Sequence, residues 1–207
     1  RRVMLTSLEG SAITSVKIDG VSHQFSTISG ISEDVIEILL NIKRIRVRVH
    51  GDKPIKLTLK TSGKKQIKAK DLEVLGDGEV VSPDQIIATL TTQSATLNLE
   101  MTAQREKDYV SAEEIKTEEL GTIALDAFFS PVSQVNYSID PARVGRKTDF
   151  DKLILEVTTD GSLKPIEALQ QAGKILSETF RQVYEPSEDE QSVATPILPN
   201  ESLKMSV

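Results

Sequence analysis

The stretch Arg44-Ile-Arg-Val-Arg-Val49 alternates charged and apolar residues, and after the turn residues Gly51-Asp-Lys-Pro54 the alternation returns in Lys56-Leu-Thr-Leu-Lys60. A period of two is typical of β-strands that turn one face to a core and the other to solvent. The stretch therefore predicts a hairpin within residues 43–70, with its charged side chains on the outer face.

The same stretch concentrates the positive charge of the chain. Residues 43–70 contain eleven Lys or Arg and one acid, Asp52, which makes +10 in a chain of 207 residues whose total is −6. The block is open to three interpretations: a solvated strand face, a surface for a partner protein, or a nucleic-acid footprint that releases counterions from phosphates. It contains no aromatic residue that could stack on bases, which counts against nucleic acid.

Outward from this block, short alternating segments bounded by Gly, Pro and Asp predict further strands. They cover residues 12–18, 55–60, 86–91, 96–104, 123–129, 132–139 and 153–158. Asp19-Gly20 predicts a turn after the first of these strands, and we expect residues 21–26 to pair with that strand. Together with two helices, this pattern predicts an antiparallel-rich α+β fold rather than a βαβ-wound sheet.

The first predicted helix covers residues 32–43. Ser32 is a good N-cap, and Glu33 and Asp34 would lie in the first turn, where the helix dipole favours anions. Ile31 and Ile36 are placed to form a hydrophobic staple. The helix has little polar surface, so we expect it to be covered on more than one side.

The second predicted helix covers residues 165–184 and begins with a proline at its first position. Apolar residues and one glycine recur along it at spacings of 3 and 4, as in a helix that packs along another helix. These residues are Ile166, Leu169, Gly173, Leu176, Phe180 and Val183. Two explanations are open: a helix buried within its own chain, or a dimer seam.

Composition excludes most catalytic chemistry. The chain has no Cys and only His23 and His50, so it lacks the residues that most zinc sites, thiol nucleophiles and Ser-His-Asp triads require. No P-loop or Gly-x-Ser-x-Gly motif occurs. We expect no catalytic residues, no metal site and no cofactor. No run of residues reaches the ~18 apolar positions of a spanning helix, so no membrane association is expected.

Beyond these patterns, several longer blocks of residues can be recognised one after another along the chain. They are Arg1-Arg-Val-Met-Leu-Thr-Ser7, Ala12-Ile-Thr-Ser-Val-Lys-Ile-Asp-Gly-Val21, His23-Gln-Phe-Ser-Thr27, Glu33-Asp-Val-Ile-Glu-Ile-Leu-Leu-Asn-Ile-Lys43, Ser130-Pro-Val132, Ala142-Arg-Val144 and Thr148-Asp-Phe-Asp-Lys-Leu153. In this order they resemble the amino-terminal domain of the bacterial-type DNA-directed RNA polymerase alpha subunit. The family pattern has a first strand and the start of a helix ahead of Arg1 that this sequence lacks.

The resemblance implies a scaffold that performs no catalysis. Alpha subunits of this family dimerise and recruit the beta and beta-prime subunits, and beta-prime holds the catalytic metal of this nucleotidyltransferase. The implied architecture is a discontinuous dimerisation domain, residues 1–9 and 132–184, interrupted by an inserted β-rich domain, residues 10–131. The acidic residues 185–202 would form a flexible linker, and residues 203–207 the start of a truncated carboxy-terminal domain.

The resemblance also implies contact residues. It assigns the beta contact to Arg2 and Leu5, the beta-prime contact to Lys43 and Leu125, and the dimer seam to the helical set beginning at Ile166. DNA would be reached only through a carboxy-terminal domain absent here. The implied location is the bacterial cytoplasm, with a plastid as the other possibility. Two alternatives remain: the archaeal or eukaryotic counterpart scaffold, and a free-standing nucleic-acid-binding module that uses residues 43–70.

Overall fold

The computed structural model describes residues 1–21, 23–115 and 121–185, so the predicted linker and carboxy-terminal residues after Glu185 lie outside the described part. Within these ranges the chain forms three α-helices, α1 (Arg2–Thr6), α2 (Val35–Lys43) and α3 (Pro165–Tyr184). The strands are β1 (Glu9–Ile18), β2 (Val47–Val49), β3 (Ile55–Ser62), β4 (Gln66–Lys68), β5 (Glu73–Leu75), β6 (Gly78–Val80), β7 (Ile86–Thr89), β8 (Thr96–Lys107), β9 (Tyr109–Val110), β10 (Thr122–Ala124), β11 (Ala127–Phe128), β12 (Val132–Val144) and β13 (Lys147–Thr159).

The central element is a five-stranded sheet in the order β10-β1-β8-β3-β5, and every adjacent pair in it is antiparallel. Alternation in β3 buries Ile55, Leu57 and Leu59 and turns the residues between them outward. These side chains join those of α2, β1, β7 and β8 in the larger hydrophobic core. The predicted antiparallel α+β class is therefore confirmed.

The predicted hairpin within residues 43–70 is wrong in its pairing, although the alternation of its faces is right. β2 pairs with β6, whereas β3 lies between β8 and β5. The backbone N–H of Val49 donates to the Ser11 hydroxyl at 3.1 Å, and that of His50 donates to the Asp77 carbonyl at 3.0 Å. These two backbone N–H groups therefore donate to other segments of the chain and do not form a hairpin with β3.

The expected return strand at residues 21–26 is also wrong, since the described residues of that stretch, 21 and 23–26, belong to no strand. β1 already has a neighbour on each edge, β8 on one side and β10 on the other. A strand following the turn at Asp19-Gly20 would have no edge of β1 left to pair with.

Helix α2 begins at Val35 with Asp34 rather than Ser32 at the N-cap, so it starts two residues later than predicted. The preceding residues are held by β7: the N–H of Ser32 donates to the Thr89 carbonyl at 3.1 Å, and the N–H of Thr89 donates to the Glu33 carboxylate at 2.7 Å. The backbone of Asp34 is extended, with φ −72° and ψ 160°, so the helix cannot begin before Val35. The predicted staple is consequently absent, since Ile36 is exposed.

A second, smaller core joins the two ends of the chain. It contains Met4 and Leu8 from the amino-terminal segment, Val132 and Val135 from β12, and Ala168 and Ala172 from α3. β12 and β13 form an antiparallel ribbon that is longer at both strands than predicted. Helix α3 has the predicted bounds, with the proline in its first turn.

Gly10 lies where β1 leaves this second core. A Cβ built there would lie 1.8 Å from the carbonyl oxygen of Phe129 and 3.2 Å from the side chain of Pro131. Only a residue without a side chain permits this approach of two backbone segments. The glycine thus fixes the crossing at which the chain enters and leaves the larger core.

Candidate protein-contact surfaces

The described residues contain no assembled metal centre. No group of three or more His, Asp or Glu side chains lies close enough together to hold an ion in that part of the chain. A cleft of about 320 Å³ separates β1 from the start of α3, and it is lined by polar residues that include Glu9, Arg48 and Arg105. The carboxylate of Glu9 is already paired with Arg105 at 3.0 Å. Over the same described ranges, no helix is both long enough and apolar enough to cross a membrane.

The predicted apolar stripe of α3 points away from its own chain. Its five apolar side chains, Ile166, Leu169, Leu176, Phe180 and Val183, are 41 to 79% exposed, and Gly173 among them is exposed as well. The explanation of this stripe as a helix seam buried within the chain is therefore wrong. Ala168 and Ala172 form the inward face, because their small side chains let α3 lie close to the second core.

One residue of this surface was missed from sequence. Tyr184 is exposed one helical turn beyond Phe180 and lengthens the stripe at its carboxyl end. The 3-4 spacing ended at Val183, so periodicity alone did not include it. Large exposed apolar faces of this kind mark protein contacts in soluble domains.

The ribbon of β12 and β13 extends this apolar character. Directly opposed residues share one face of a sheet, and the register places Tyr137 opposite Leu155 and Ile139 opposite Leu153 on the face of the buried Val135. Tyr137, Ile139 and Leu153 are exposed. The sequence predicted both strands but gave no sign that their apolar face continues beyond the core.

At α1, the structure brings Arg2 and Leu5 together on one helical face. Arg2 is exposed, whereas Leu5 is half-buried and packs against the second core. The pair therefore presents one cation beside a partly covered aliphatic side chain.

Lys43 ends α2, where its charge is favoured by the helix dipole. Its ammonium group lies 3.4 Å from the carboxylate of Asp126, which also accepts the backbone N–H of Ala112 at 3.1 Å. The Ala112 N–H, together with Lys43, holds the pKa of the Asp126 carboxyl below its ordinary value of 3.8, against the opposing effect of desolvation. Asp126 thus fixes the position of the Lys43 head group.

Leu125 lies beside this ion pair in sequence but faces the other way. It is only 6% exposed and belongs to the larger core, and its backbone N–H donates to the Thr14 carbonyl at 2.8 Å. Its side chain therefore offers a partner very little surface. Phe128 on β11 is exposed instead, opposite the exposed Tyr109 on β9. An alternating pattern in the sequence could have identified Phe128 as exposed. The buried residues are Leu125, Ala127 and Phe129, and Asp126 and Phe128 lie between them.

The expectation that α2 is covered on several sides is wrong. Val35, Ile38, Leu39 and Ile42 are buried, but Ile36 and Leu40 are 43% and 52% exposed. Helix α2 contacts β7 of a two-stranded sheet and β1 of the five-stranded sheet, and together these strands cover only one face of the helix.

Four of the eleven cations of the basic block form ion pairs among the described residues, Lys43 with Asp126 and three others. Arg46 lies 3.7 Å from the carboxylate of Asp160, Arg48 forms an ion pair with Glu79, and Lys68 lies 3.5 Å from Asp84. Arg48 also donates to the carbonyl of Ser162 at 2.7 Å. These arginines connect β2 to the loop before α3, so they form a tether between two parts of the molecule rather than a vacant phosphate track.

Several exposed apolar faces on an α+β fold are typical of proteins that bind other proteins. The family model described as the RNA polymerase Rpb3/RpoA insert domain matches residues 16–130. The chain belongs to this family, as a bacterial-type DNA-directed RNA polymerase alpha subunit.

Curated relatives named DNA-directed RNA polymerase subunit alpha agree with this. The chain is 43% identical to that of Roseiflexus castenholzii over 199 residues, which cover 95% of this chain and 62% of the relative. It is 48% identical to that of Alkaliphilus oremlandii over 180 residues, 86% of this chain and 56% of the relative. It is 44% identical to that of Symbiobacterium thermophilum over 191 residues, which cover 91% of this chain and 60% of the relative. The chain thus spans somewhat more than half the length of these relatives.

Proposed function

We propose that this chain is the assembly scaffold of a bacterial DNA-directed RNA polymerase. In this role it is a non-catalytic subunit of the nucleotidyltransferase: it pairs with a second copy and recruits the beta and beta-prime subunits for DNA-templated transcription. The observation that carries the proposal is the exposed apolar stripe of α3 in a chain of the alpha-subunit family.

The stripe supports pairing of two copies. Helix α3 has 20 residues and is therefore about 30 Å long at 1.5 Å per residue. Its exposed apolar residues recur along nearly this whole length, and burying each side chain fully is worth about 1.5 to 3 kcal/mol. A two-fold axis through the stripe would bury both copies of every residue at once.

The two cores support the proposed division of the chain. The larger core draws its buried residues from positions between Ile13 and Leu125, inside the proposed insert at residues 10–131. The smaller core draws on Met4 and Leu8 and then on β12 and α3, inside the proposed dimerisation domain at residues 1–9 and 132–184.

For the large subunits, we propose Arg2 with Leu5 as the beta contact and Lys43 as the centre of the beta-prime contact. Leu125, being buried, would act there by holding the strand segment that carries Asp126. We propose no cofactor for this chain, since the chemistry would lie in a partner subunit. DNA contact would fall to residues outside residues 1–185, and the bacterial cytoplasm would be the location.

The full-length subunit that contains these residues provides the test. Light scattering after size exclusion should give the mass of a dimer, and co-expression should capture beta. Phe180→Glu should yield a monomer because it places charge in the apolar seam. Gln171→Glu adds the same charge at an exposed position of α3 whose helical neighbours, residues 167, 168, 174 and 175, lie outside the stripe, and should leave the dimer intact. A monomeric wild-type subunit that ignores beta would refute the scaffold role.

The contact residues are tested separately. Arg2→Ala should abolish capture of beta without changing the mass of the dimer. An unaffected pull-down would remove Arg2 from the beta contact while leaving the dimer proposal standing.

A further inference from the structure

We propose that the outer face of α2 and the β9–β11 aromatic pair form one docking strip, made of Ile36, Leu40, Lys43, Tyr109 and Phe128, which receives an apolar segment of the large subunit bound at Lys43. This inference rests on the proposed function. It adds to that function the residues that supply the apolar part of the contact, a part that the buried Leu125 cannot supply.

Three members of the strip lie on a single helical face. Ile36, Leu40 and Lys43 follow spacings of 4 and 3, which bring their side chains into line along α2. The opposite face, with Val35, Ile38, Leu39 and Ile42, is fully committed to the larger core. The two aliphatic side chains therefore lie outside the larger core, and they lead along the helix to the cation at its end.

The ion pair joins α2 to the aromatic residues. Asp126, which holds Lys43, lies two residues before Phe128, and Phe128 is paired across the strands with Tyr109. Both rings are about half exposed, at 51% and 53%. A groove of about 150 Å³ runs between Lys43 and these rings, and Ala12, Ile13 and Ile45 complete its lining. The Lys43–Asp126 pair therefore lies between the aliphatic part of the strip on α2 and its aromatic part on β9 and β11.

The charges indicate the chemistry of the occupant. Both cations that line the groove have a carboxylate partner, Lys43 in Asp126 and Arg46 in Asp160, whereas the exposed Arg44, directly after Lys43, has no ion pair among the described residues. A segment with apolar side chains and a carboxylate at the Lys43 end would complement both parts of the strip. Aromatic residues packed beside a charged pair are also typical of the centres of protein interfaces.

The test uses the full-length subunit co-expressed with tagged beta-prime. The double variant Ile36→Gln/Leu40→Gln and the single variant Phe128→Gln should each lower capture of beta-prime about tenfold or more, as truncation of central interface residues does. The mass of the dimer and the capture of beta should not change. Leu75→Gln is the matched control. Leu75 is about as exposed as the substituted residues of the strip, but it lies on β5, whereas the chain segment that leads to Phe128 starts from β10 at the opposite edge of the five-stranded sheet.

Lys43→Glu separates failure of the strip from failure of the site. If Lys43→Glu abolishes capture but the apolar variants do not, the strip is refuted and the proposed site survives. If Lys43→Glu also has no effect, the beta-prime site itself is refuted. Unchanged melting temperatures would show that the variants are folded.

A photo-crosslinking residue at position 40 identifies the occupant directly. Crosslinks to beta-prime support the strip. Crosslinks to a second copy of the chain, or to beta, overturn it, since the face would then serve another contact.

Discussion

The guanidinium Nε of Arg48 donates to the carbonyl oxygen of Ser162, 2.7 Å away, and so ties β2 to the loop that leads into α3. The same guanidinium reaches the carbonyl of Gly161 at 3.3 Å. Two residues earlier, Arg46 lies 3.7 Å from Asp160. The larger core and the loop before α3 are thus held together by Arg48 of β2 and by Arg46, which directly precedes that strand.

Loss of this tether should destabilise the chain. We expect Arg48→Ala to lower the free energy of unfolding by about 1 to 2 kcal/mol, because charge-assisted hydrogen bonds to two carbonyls are lost. Chemical denaturation monitored by circular dichroism measures the change. Lys60→Ala removes the same charge from an exposed position on β3 and should have almost no effect. Equal effects of the two variants would contradict the role of Arg48 as a tether.

Gly10→Ala should be strongly destabilising. The added Cβ would lie 1.8 Å from the Phe129 carbonyl oxygen, a backbone atom that can move only if the strand moves. Overpacking of this kind costs about 1 to 3 kcal/mol or more, which thermal unfolding would detect. Gly51→Ala is the control, because its nearest neighbour would be 3.9 Å away. A folded Gly10→Ala variant of wild-type stability would show that the close approach is not needed.

Substitution of Gly173 by alanine should have opposite effects on the stability of the monomer and on the stability of the dimer. A glycine inside a helix costs about 0.5 to 1 kcal/mol relative to alanine, and a Cβ at this position would meet nothing within 4 Å. Gly173→Ala should therefore stabilise α3 in the monomer. If two copies cross closely at this residue, the same change should weaken the dimer, measured by sedimentation at several concentrations. A dimer strengthened by the substitution would place the crossing elsewhere.

The Lys43–Asp126 pair should lose its contribution at low pH. The folded-state pKa of Asp126 lies below the ordinary 3.8, so its contribution to stability is present above that value and is lost as pH falls through the folded-state pKa. The stability difference between wild type and Asp126→Asn should thus be constant near neutrality and shrink below pH 3.8. A difference that grew on acidification would mean that the carboxyl is protonated more easily in the folded protein.

Local pattern predicted local structure well in this chain. The stripe of α3 and the faces of β3 follow from periods of 3.6 and 2, and the antiparallel character follows from short strands bounded by turn residues, all of which are local features of the sequence. Local pattern did not predict which strands pair with each other. Val49 pairs with Gly78 and not with a residue of β3, because pairing is decided by which edges and polar groups are vacant elsewhere in the molecule.

The contact residues show the same division. The order of the sequence blocks was enough to predict the family and to select Arg2, Lys43 and the α3 stripe as candidates. Only the tertiary structure decided which of two apolar faces each helix leaves uncovered, that Leu125 is buried, and that Phe128 is exposed in its vicinity. The reason is physical: periodicity shows that a helix or strand has an apolar face, but burial depends on what the rest of the chain brings against that face.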